Sequence, residues 1–102
     1  MLVLKPNCEC CDCDLPAEST EAYICTYECT FCRECVDTLL KNVCPNCGGG
    51  LTPRPIRPSV ARREGVSLAH HPASTKRVHT YFSLEEIKRF TATIKDIPPE
   101  KR

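Results

Sequence analysis

A one-sided apolar stripe at helical spacing lies near the middle of the chain. It consists of Val36, Leu39, Leu40 and Val43, which follow one another at i, i+3, i+4 and i+7. Side chains at this spacing share one face of an α-helix. Pro45 cannot continue a helix, because it has no backbone N–H and its ring clashes with the preceding turn. The pattern predicts a short amphipathic helix after Cys35 that Pro45 ends.

Near the C-terminus, a second helical pattern begins with a specific start signal. Ser83 and Glu86 form the Ser-x-x-Glu capping box, and Phe82 and Ile87 occupy the hydrophobic-staple positions around it. The apolar stripe that follows consists of Leu84, Ile87, Phe90 and Ile94. We expect an amphipathic helix over about residues 83–96. A helix this short is marginal in water by itself, so it must dock on the rest of the chain, dock on a partner or form only transiently.

Residues 22–31 have the composition of a short strand or hairpin. The segment reads Ala-Tyr-Ile-Cys-Thr-Tyr-Glu-Cys-Thr-Phe and is rich in aromatic and β-branched residues. Together with the two helical patterns, it predicts a small α+β fold.

The chain divides into three parts by composition. Residues 1–51 contain all ten cysteines, and we expect them to form one metal-stabilised domain. Residues 52–80 contain four prolines among arginines and histidines, and prolines at this density favour extended chain over a packed core. We therefore expect a flexible linker there. Residues 81–102 carry the C-terminal helix and a charged end.

The small size of the cysteine-rich domain limits what can hold it together. About fifty residues bury too little apolar surface to be comfortably stable without a disulfide, a metal or a partner. The N-terminal apolar run is too short for a signal peptide and is broken by Pro6 and Asn7. No stretch reaches the ~20 apolar residues of a membrane-spanning helix. We therefore expect a cytoplasmic protein, in which thiols stay reduced and clustered cysteines favour metal over disulfides.

Eight of the ten cysteines form four closely spaced pairs. Between Cys8 and Cys47 they follow the pattern Cys-x2-Cys-x13-Cys-x3-Cys-x2-Cys-x2-Cys-x8-Cys-x2-Cys. Zn²⁺ prefers four ligands in a tetrahedron, and one Cys-x2-Cys turn can supply two of them. Eight such ligands predict two closed zinc sites and a protein that binds two zinc ions.

Cys10 and Cys13 form a competing register for the first pair. We favour Cys8 and Cys11 as the metal ligands, because Leu15 then lies four residues after Cys11, where such turns often place a core residue. Cys10 and Cys13 are then spare thiols. The alternative is a reactive pair that senses oxidants or exchanges metal, although the acidic residues around it would raise the thiol pKa and slow reaction.

The cysteine spacing resembles that of RING-type, treble-clef zinc domains, whose two sites interleave along the chain. The resemblance covers about residues 8–50, including Phe-Cys-Arg-Glu-Cys, a short helix and Cys-Pro-Asn-Cys. It implies that one site has the ligands Cys8, Cys11, Cys32 and Cys35 and that the other has the ligands Cys25, Cys29, Cys44 and Cys47. Interleaving lets each ion join distant parts of the chain, and a structural zinc contributes on the order of 10 kcal/mol of apparent folding free energy.

The same resemblance implies ubiquitin-ligase activity as an alternative function. Three features depart from the ligase pattern. Glu9 follows the first ligand, where ligases usually have an apolar residue, Gly48 follows the last ligand, where they often have a basic one, and the chain contains no Trp. A shared fold does not transfer function, and no catalytic constellation of side chains is present. We therefore expect that the protein is not an enzyme.

A closer resemblance is to a family of small cysteine-rich bacterial proteins described only as a domain of unknown function. It is based on the runs Leu-Lys-Pro-Asn-Cys-Glu-Cys-Cys, Val-Cys-Pro-Asn-Cys-Gly-Gly and Arg-Pro-Ile-Arg-Pro. It covers roughly residues 1–80, which makes the chain from Tyr81 onward an extension. The resemblance implies zinc binding in a bacterial cytoplasm and no particular mechanism.

Charge is unevenly distributed along the chain. Residues 1–50 carry three basic and eight acidic side chains, a net charge of −5, whereas residues 51–102 carry eleven basic and five acidic ones, a net charge of +6. Simple attraction would draw the basic tail towards the acidic domain, and the alternative is a basic arm that binds nucleic acid. We prefer the first interpretation, because no aromatic residue lies among the arginines of residues 54–63 to stack on bases. The three histidines are expected to be solvated.

These patterns together predict a zinc-binding structural or interaction module with no catalytic activity of its own. We expect its partner to be another protein, with nucleic acid as the alternative and no membrane contact.

Overall fold

The predicted hairpin forms two strands of a three-stranded antiparallel sheet. In the computed structural model, which describes all of residues 1–102, β1 spans Ala22–Ile24, β2 spans Thr30–Cys32 and β3 spans Thr52–Pro53. The strand order is β2-β1-β3, so β1 pairs with both neighbours. The hairpin turn carries Cys25 at its start and Cys29 at its end, and β2 ends at Cys32.

The first helix begins directly after β2 and is shorter than the sequence predicts. α1 spans Arg33–Cys35 and continues as a π-helical turn over Val36–Leu40. The expectation that Pro45 ends this helix is wrong, because Lys41 and Asn42 adopt left-handed φ angles of 48° and 61°, and a right-handed helix cannot continue through such residues. The chain therefore turns four residues earlier and leads into the Cys44–Cys47 loop.

Cysteine side chains make up much of the hydrophobic core. Of its thirteen buried residues, six are cysteines. Large apolar side chains are few, and the fully buried ones in this part of the chain include Phe31, Leu40 and Val43. A core with so many thiols gains little from apolar burial alone, so the domain depends on what the thiols bind.

The C-terminal helix, α2, spans Leu84–Ile94 and has the capping box that the sequence indicates. Ser83 Oγ accepts from the Glu86 amide at 3.2 Å, and the Glu86 carboxylate accepts from the Ser83 amide at 3.3 Å. The helix docks on the cysteine-rich domain through Ile87, which is only 1% exposed. Gly48, with a φ of +80°, lies under Phe90, and a Cβ at this position would be 3.4 Å from the Phe90 ring.

A short 3₁₀ helix over Pro99–Lys101 ends the chain. Arg102 then donates to the carbonyl oxygens of Asn42 at 2.8 Å and Gly48 at 3.3 Å. No helix has both the length and the apolar character needed to span a bilayer.

Residues 52–80 contain extended stretches at both ends, with bends and turns over residues 59–71. Both ends contact the cysteine-rich domain, and the flexibility expected for this linker stays a prediction. The Arg54 side chain is buried and donates to the carbonyl oxygens of Lys5, Leu15 and Pro16 at 2.8, 3.3 and 3.0 Å. A buried guanidinium group that donates to three carbonyls holds the start of this segment against the N-terminal loops.

The end of the same segment, residues 74–80, lies along residues 4–9, and we call it the strap. The amides of Ser74 and Thr80 donate to the carbonyls of Leu4 and Glu9 at 3.0 and 2.9 Å. Between them, the Asn7 side chain exchanges two hydrogen bonds with the Val78 backbone, at 2.9 and 3.2 Å. Proline density predicts extended chain, but it carries no information about which carbonyls and amides that chain meets.

We predict that amide hydrogen exchange will distinguish the strap from the exposed part of the same segment. The amides of Ser74, Val78 and Thr80 are hydrogen-bonded and should exchange slowly, because exchange requires those bonds to open. The amides of Arg62 and Arg63 make no hydrogen bond and serve as internal controls that should exchange fast. Equal, rapid exchange at both sets would mean that the strap is not docked in solution.

Candidate metal centre

Four thiols from two distant parts of the chain converge in a first cluster. Cys8 and Cys11 belong to the loop before the sheet, whereas Cys32 ends β2 and Cys35 ends α1. Their sulfur atoms all lie within 4.8 Å of one another. Four Zn–S bonds of about 2.3 Å in a tetrahedron would separate the sulfurs by about 3.8 Å, and the sulfurs of Cys11 and Cys32 are 3.7 Å apart. The cluster has the composition and the size that a zinc ion requires.

Backbone amides point at the sulfur atoms of this cluster. The amides of Cys10 and Cys11 both donate to Cys8 Sγ at 3.4 Å, and the amide of Cys35 donates to Cys32 Sγ at 3.5 Å. Hydrogen bonds to a charged group favour the charged form, and the thiolate is the form that binds metal. The local backbone is therefore arranged to support thiolates before any metal arrives.

Cys10 and Cys13, the competing pair, lie outside the group of four converging thiols. Cys10 is half-buried, Cys13 is exposed, and no backbone amide donates to the sulfur of either. Leu15 is the residue on which we based our preference for the Cys8 and Cys11 register, and it is buried, with 2% of its surface exposed. The geometry favours Cys8 and Cys11 as the metal-binding pair.

A second cluster contains three thiols that lie within the same 4.8 Å limit. Cys25 comes from the hairpin turn, and Cys44 and Cys47 come from the loop after α1. Amides again donate to sulfur, from Tyr27 to Cys25 Sγ at 3.3 Å and from Gly49 to Cys47 Sγ at 3.4 Å. The fourth predicted ligand, Cys29, is not within this limit of all three thiols, but it is buried in the same hydrophobic cluster as Cys25 and Cys44. The structure thus brings three of the four together and leaves Cys29 at the edge.

Most of these thiols are weaker acids than an ordinary cysteine. Burial raises the pKa of Cys8 and of Cys25 to about 11. Burial, followed by the charge of Cys8, also raises the pKa of Cys35. A hydrogen bond to Cys29 and then burial raise the pKa of Cys44. These four cysteines therefore hold their protons at neutral pH until a metal displaces them.

One thiol in each cluster is a stronger acid. Burial acts to raise the pKa of Cys11, but hydrogen bonds from the backbone of Cys13 and from neighbouring thiols outweigh it and lower the pKa to about 7. A hydrogen bond from Cys44 lowers the pKa of Cys29 to about 6, against the effect of burial. Each cluster thus has one thiol from which metal binding can start.

A buried carboxylate links the two clusters. Glu9, in the loop of the first cluster, is 2% exposed. Its Oε2 accepts from the Thr30 amide at 2.6 Å and from Lys5 Nζ at 3.2 Å, and its Oε1 accepts from the Asn46 side chain, in the loop of the second cluster, at 3.4 Å. Asn46 also accepts from the Thr80 hydroxyl of the strap at 2.9 Å. This role is not predictable from the sequence, because nothing in the local pattern distinguishes Glu9 from the other seven acidic residues of residues 1–50.

Basic residues of the tail neutralise acidic ones beside the first cluster. Arg77, in the strap, bonds to the carboxylates of Asp12 and Asp14 at 3.0 and 2.8 Å, and His79 is 3.4 Å from Asp12. His70 bonds to Ser67 at 2.9 Å. No histidine belongs to either thiol cluster.

The fold and the site together define a small cysteine-rich α+β protein whose thiols form two clusters that can hold metal ions. The chain belongs to a family described as proteins of unknown function, DUF1272, whose model matches residues 1–57.

A relative from Rhizobium meliloti (strain 1021), named Uncharacterized protein R02474, is 56% identical over 78 residues. The match covers 76% of this chain and 86% of the relative. No solved structure matches the chain.

We predict that Glu9→Gln destabilises the protein by about 1–3 kcal/mol. The amide cannot accept from Thr30, Lys5 and Asn46 together, and its NH₂ group would face other donors. Urea denaturation at a fixed zinc concentration measures the change. Glu18→Gln is the matched control, because Glu18 is exposed and makes no hydrogen bond, and a change within about 0.5 kcal/mol is expected there. Equal stability of both variants would contradict the bridging role of Glu9.

We also predict that metal affinity falls steeply as pH falls. Metal binding requires thiolates, so it releases the protons that Cys8 and Cys35 hold in one cluster and those that Cys25 and Cys44 hold in the other. Loss of at least two protons per site lowers the apparent affinity by at least about 100-fold for each unit of pH. Competition titrations with a chelator of known affinity between pH 6 and 8 measure this slope. A pH-independent affinity would contradict the assignment of thiols as ligands.

Proposed function

We propose that this protein is a zinc-stabilised structural and interaction module that binds two zinc ions through residues 1–51. The first site uses Cys8, Cys11, Cys32 and Cys35. The second uses Cys25, Cys29, Cys44 and Cys47, with Cys29 moving in to complete it. The observation that carries the proposal is the convergence of thiols from distant segments, with backbone amides donating to their sulfurs.

Zinc is the metal we propose because of the donor set. Thiolates select Zn²⁺, Cu(I) and iron–sulfur clusters over Mg²⁺ and Ca²⁺. Four thiolates around one Zn²⁺ leave no open coordination position, which is typical of structural sites and not of catalytic ones. We therefore propose no catalytic activity, and a reducing compartment such as the cytoplasm, where the thiols stay available for metal.

A partner protein is the interaction we propose, and exposed apolar side chains around the start of α2 support it. Tyr81 and Leu84 are 99% and 58% exposed. Beside them, Phe82 and Phe90 line a groove of about 510 Å³ against Pro45. Apolar side chains grouped at a surface groove are typical of protein-binding sites.

Two of the four arginines on which the nucleic-acid alternative rests are engaged within the chain, whereas Arg62 and Arg63 are exposed. Arg54 is buried against three carbonyls, and Arg57 donates to the carbonyls of His71 and Leu2 at 2.6 and 2.8 Å. Neither guanidinium is free for phosphates. The ligase alternative gains no support from the structure. α2 of this chain packs over the Cys44–Cys47 loop at Gly48, so that part of the loop is covered and not open to a partner.

We predict two zinc ions per chain in native mass spectrometry and loss of cooperative unfolding after a strong chelator removes them. Cys35→Ser and Cys44→Ser should each lose one ion and unfold the domain, because each removes a buried ligand. Cys10→Ser, which removes a cysteine outside both clusters, is the matched control and should keep both ions. One ion or none in the wild-type protein would contradict the two-site proposal.

A further inference from the structure

A fifth thiol lies beside the first cluster on its solvent side. Cys13 is exposed and lines the same surface cavity as Cys32, one of the four clustered thiols. Among the four clustered thiols, Cys11 is the only exposed one, whereas Cys8, Cys32 and Cys35 are buried. The first cluster therefore has one ligand at its solvent edge and a spare thiol next to that ligand.

The other spare thiol is placed differently. Cys10 is half-buried, packs against the hydrophobic core and does not line this cavity. Both spare cysteines have the same chemistry and lie in the same loop, so they form a matched pair that differs in access to solvent.

Cys13 and Cys32 share a wall of an open cavity of about 530 Å³. Four carboxylates line this cavity, those of Asp14, Glu21, Glu34 and Asp37, together with one guanidinium, that of Arg33. Arg33 is paired with Glu21 at 3.2 Å. Asp14 is paired with Arg77 at 2.8 Å, which leaves Glu34 and Asp37. Their negative charge raises the local concentration of cations, and the cavity connects solvent to Cys32 of the first cluster.

We propose that Cys13 is an exchange ligand of the first metal site, through which a thiophilic divalent cation such as Zn²⁺ enters and leaves. The inference rests on the proposed function, since it requires that the first cluster bind metal. Cys13 takes the place of Cys11 in the coordination shell while the three buried thiolates keep hold of the ion.

The exchange step conserves charge and oxidation state. The Cys13 thiol loses its proton and forms a bond to the ion, and the bond from the ion to Cys11 breaks. The released Cys11 thiolate takes up one proton. An external thiolate or chelator then forms a bond to the ion and displaces Cys13, which is also exposed, and the freed Cys13 thiolate takes up a proton. Entry of an ion follows the same steps in reverse.

Substitution of Cys11 tests the proposal at equilibrium in the full-length protein. If Cys13 can replace Cys11, then Cys11→Ser keeps two zinc ions per chain in native mass spectrometry. The double variant Cys11→Ser/Cys13→Ser should bind one ion, whereas the matched control Cys11→Ser/Cys10→Ser should still bind two. Loss of one ion from Cys11→Ser alone, by unfolding or otherwise, would overturn the proposal, and so would two ions in the Cys11→Ser/Cys13→Ser protein.

A second test measures the rate of zinc release and keeps all eight cysteines of the two proposed zinc sites. A tethered thiol has an effective concentration in the millimolar range, so its removal should slow zinc transfer from the first site to an excess of chelator by about tenfold. We expect this slowing in Cys13→Ser and not in Cys10→Ser, with two ions bound at the start in both. Equal rates in the two variants would refute a role for Cys13. Failure of the wild-type protein to bind two ions would instead refute the proposed function itself.

Discussion

Mutual approach of cysteine sulfurs is the constraint on which this structure depends. Two groups of thiols meet in the interior although they come from loops, a strand end and a helix that are far apart in sequence. As thiolates they would repel one another strongly in a poorly solvated site, and as thiols they supply little of the stabilisation that large apolar side chains provide. A bound cation resolves both problems, because it neutralises the thiolates and joins the segments that carry them.

The parts of the chain without cysteines are arranged around this centre. Arg54 holds the start of the extended segment on the N-terminal loops, the strap follows residues 4–9, and α2 covers the loop of the second cluster through Ile87. Glu9, in the loop of the first cluster, accepts hydrogen bonds from Thr30 and from Asn46 in the loop of the second cluster, and its backbone carbonyl accepts from the Thr80 amide of the strap. The basic tail thus packs on the acidic cysteine-rich domain, and Arg77 of the tail pairs with Asp12 and Asp14 of that domain.

Features governed by local spacing could be predicted from the sequence. The capping box of α2 involves residues three apart, and the pairing of Cys32 with Cys35 follows from one tight turn. Convergence of Cys8 and Cys11 with them was expected only from a resemblance to interleaved zinc domains.

Features governed by tertiary contacts were missed. The Arg54 side chain donates to backbone carbonyls. Every residue has a carbonyl, so the amino-acid sequence does not indicate which ones Arg54 contacts. The left-handed residues Lys41 and Asn42 end the first helix because the chain must turn towards Cys44. Glu9 is buried only because two loops close over it.

Zinc K-edge X-ray absorption on the purified, zinc-loaded protein tests the central claim most directly, because it counts the sulfur atoms bound to metal. The account predicts a single shell of four sulfurs at about 2.3 Å with no nitrogen or oxygen ligands. Nitrogen or oxygen in that shell would contradict four-thiolate sites. A folded protein that takes up no zinc, with its sulfurs joined as disulfides, would contradict the account as a whole.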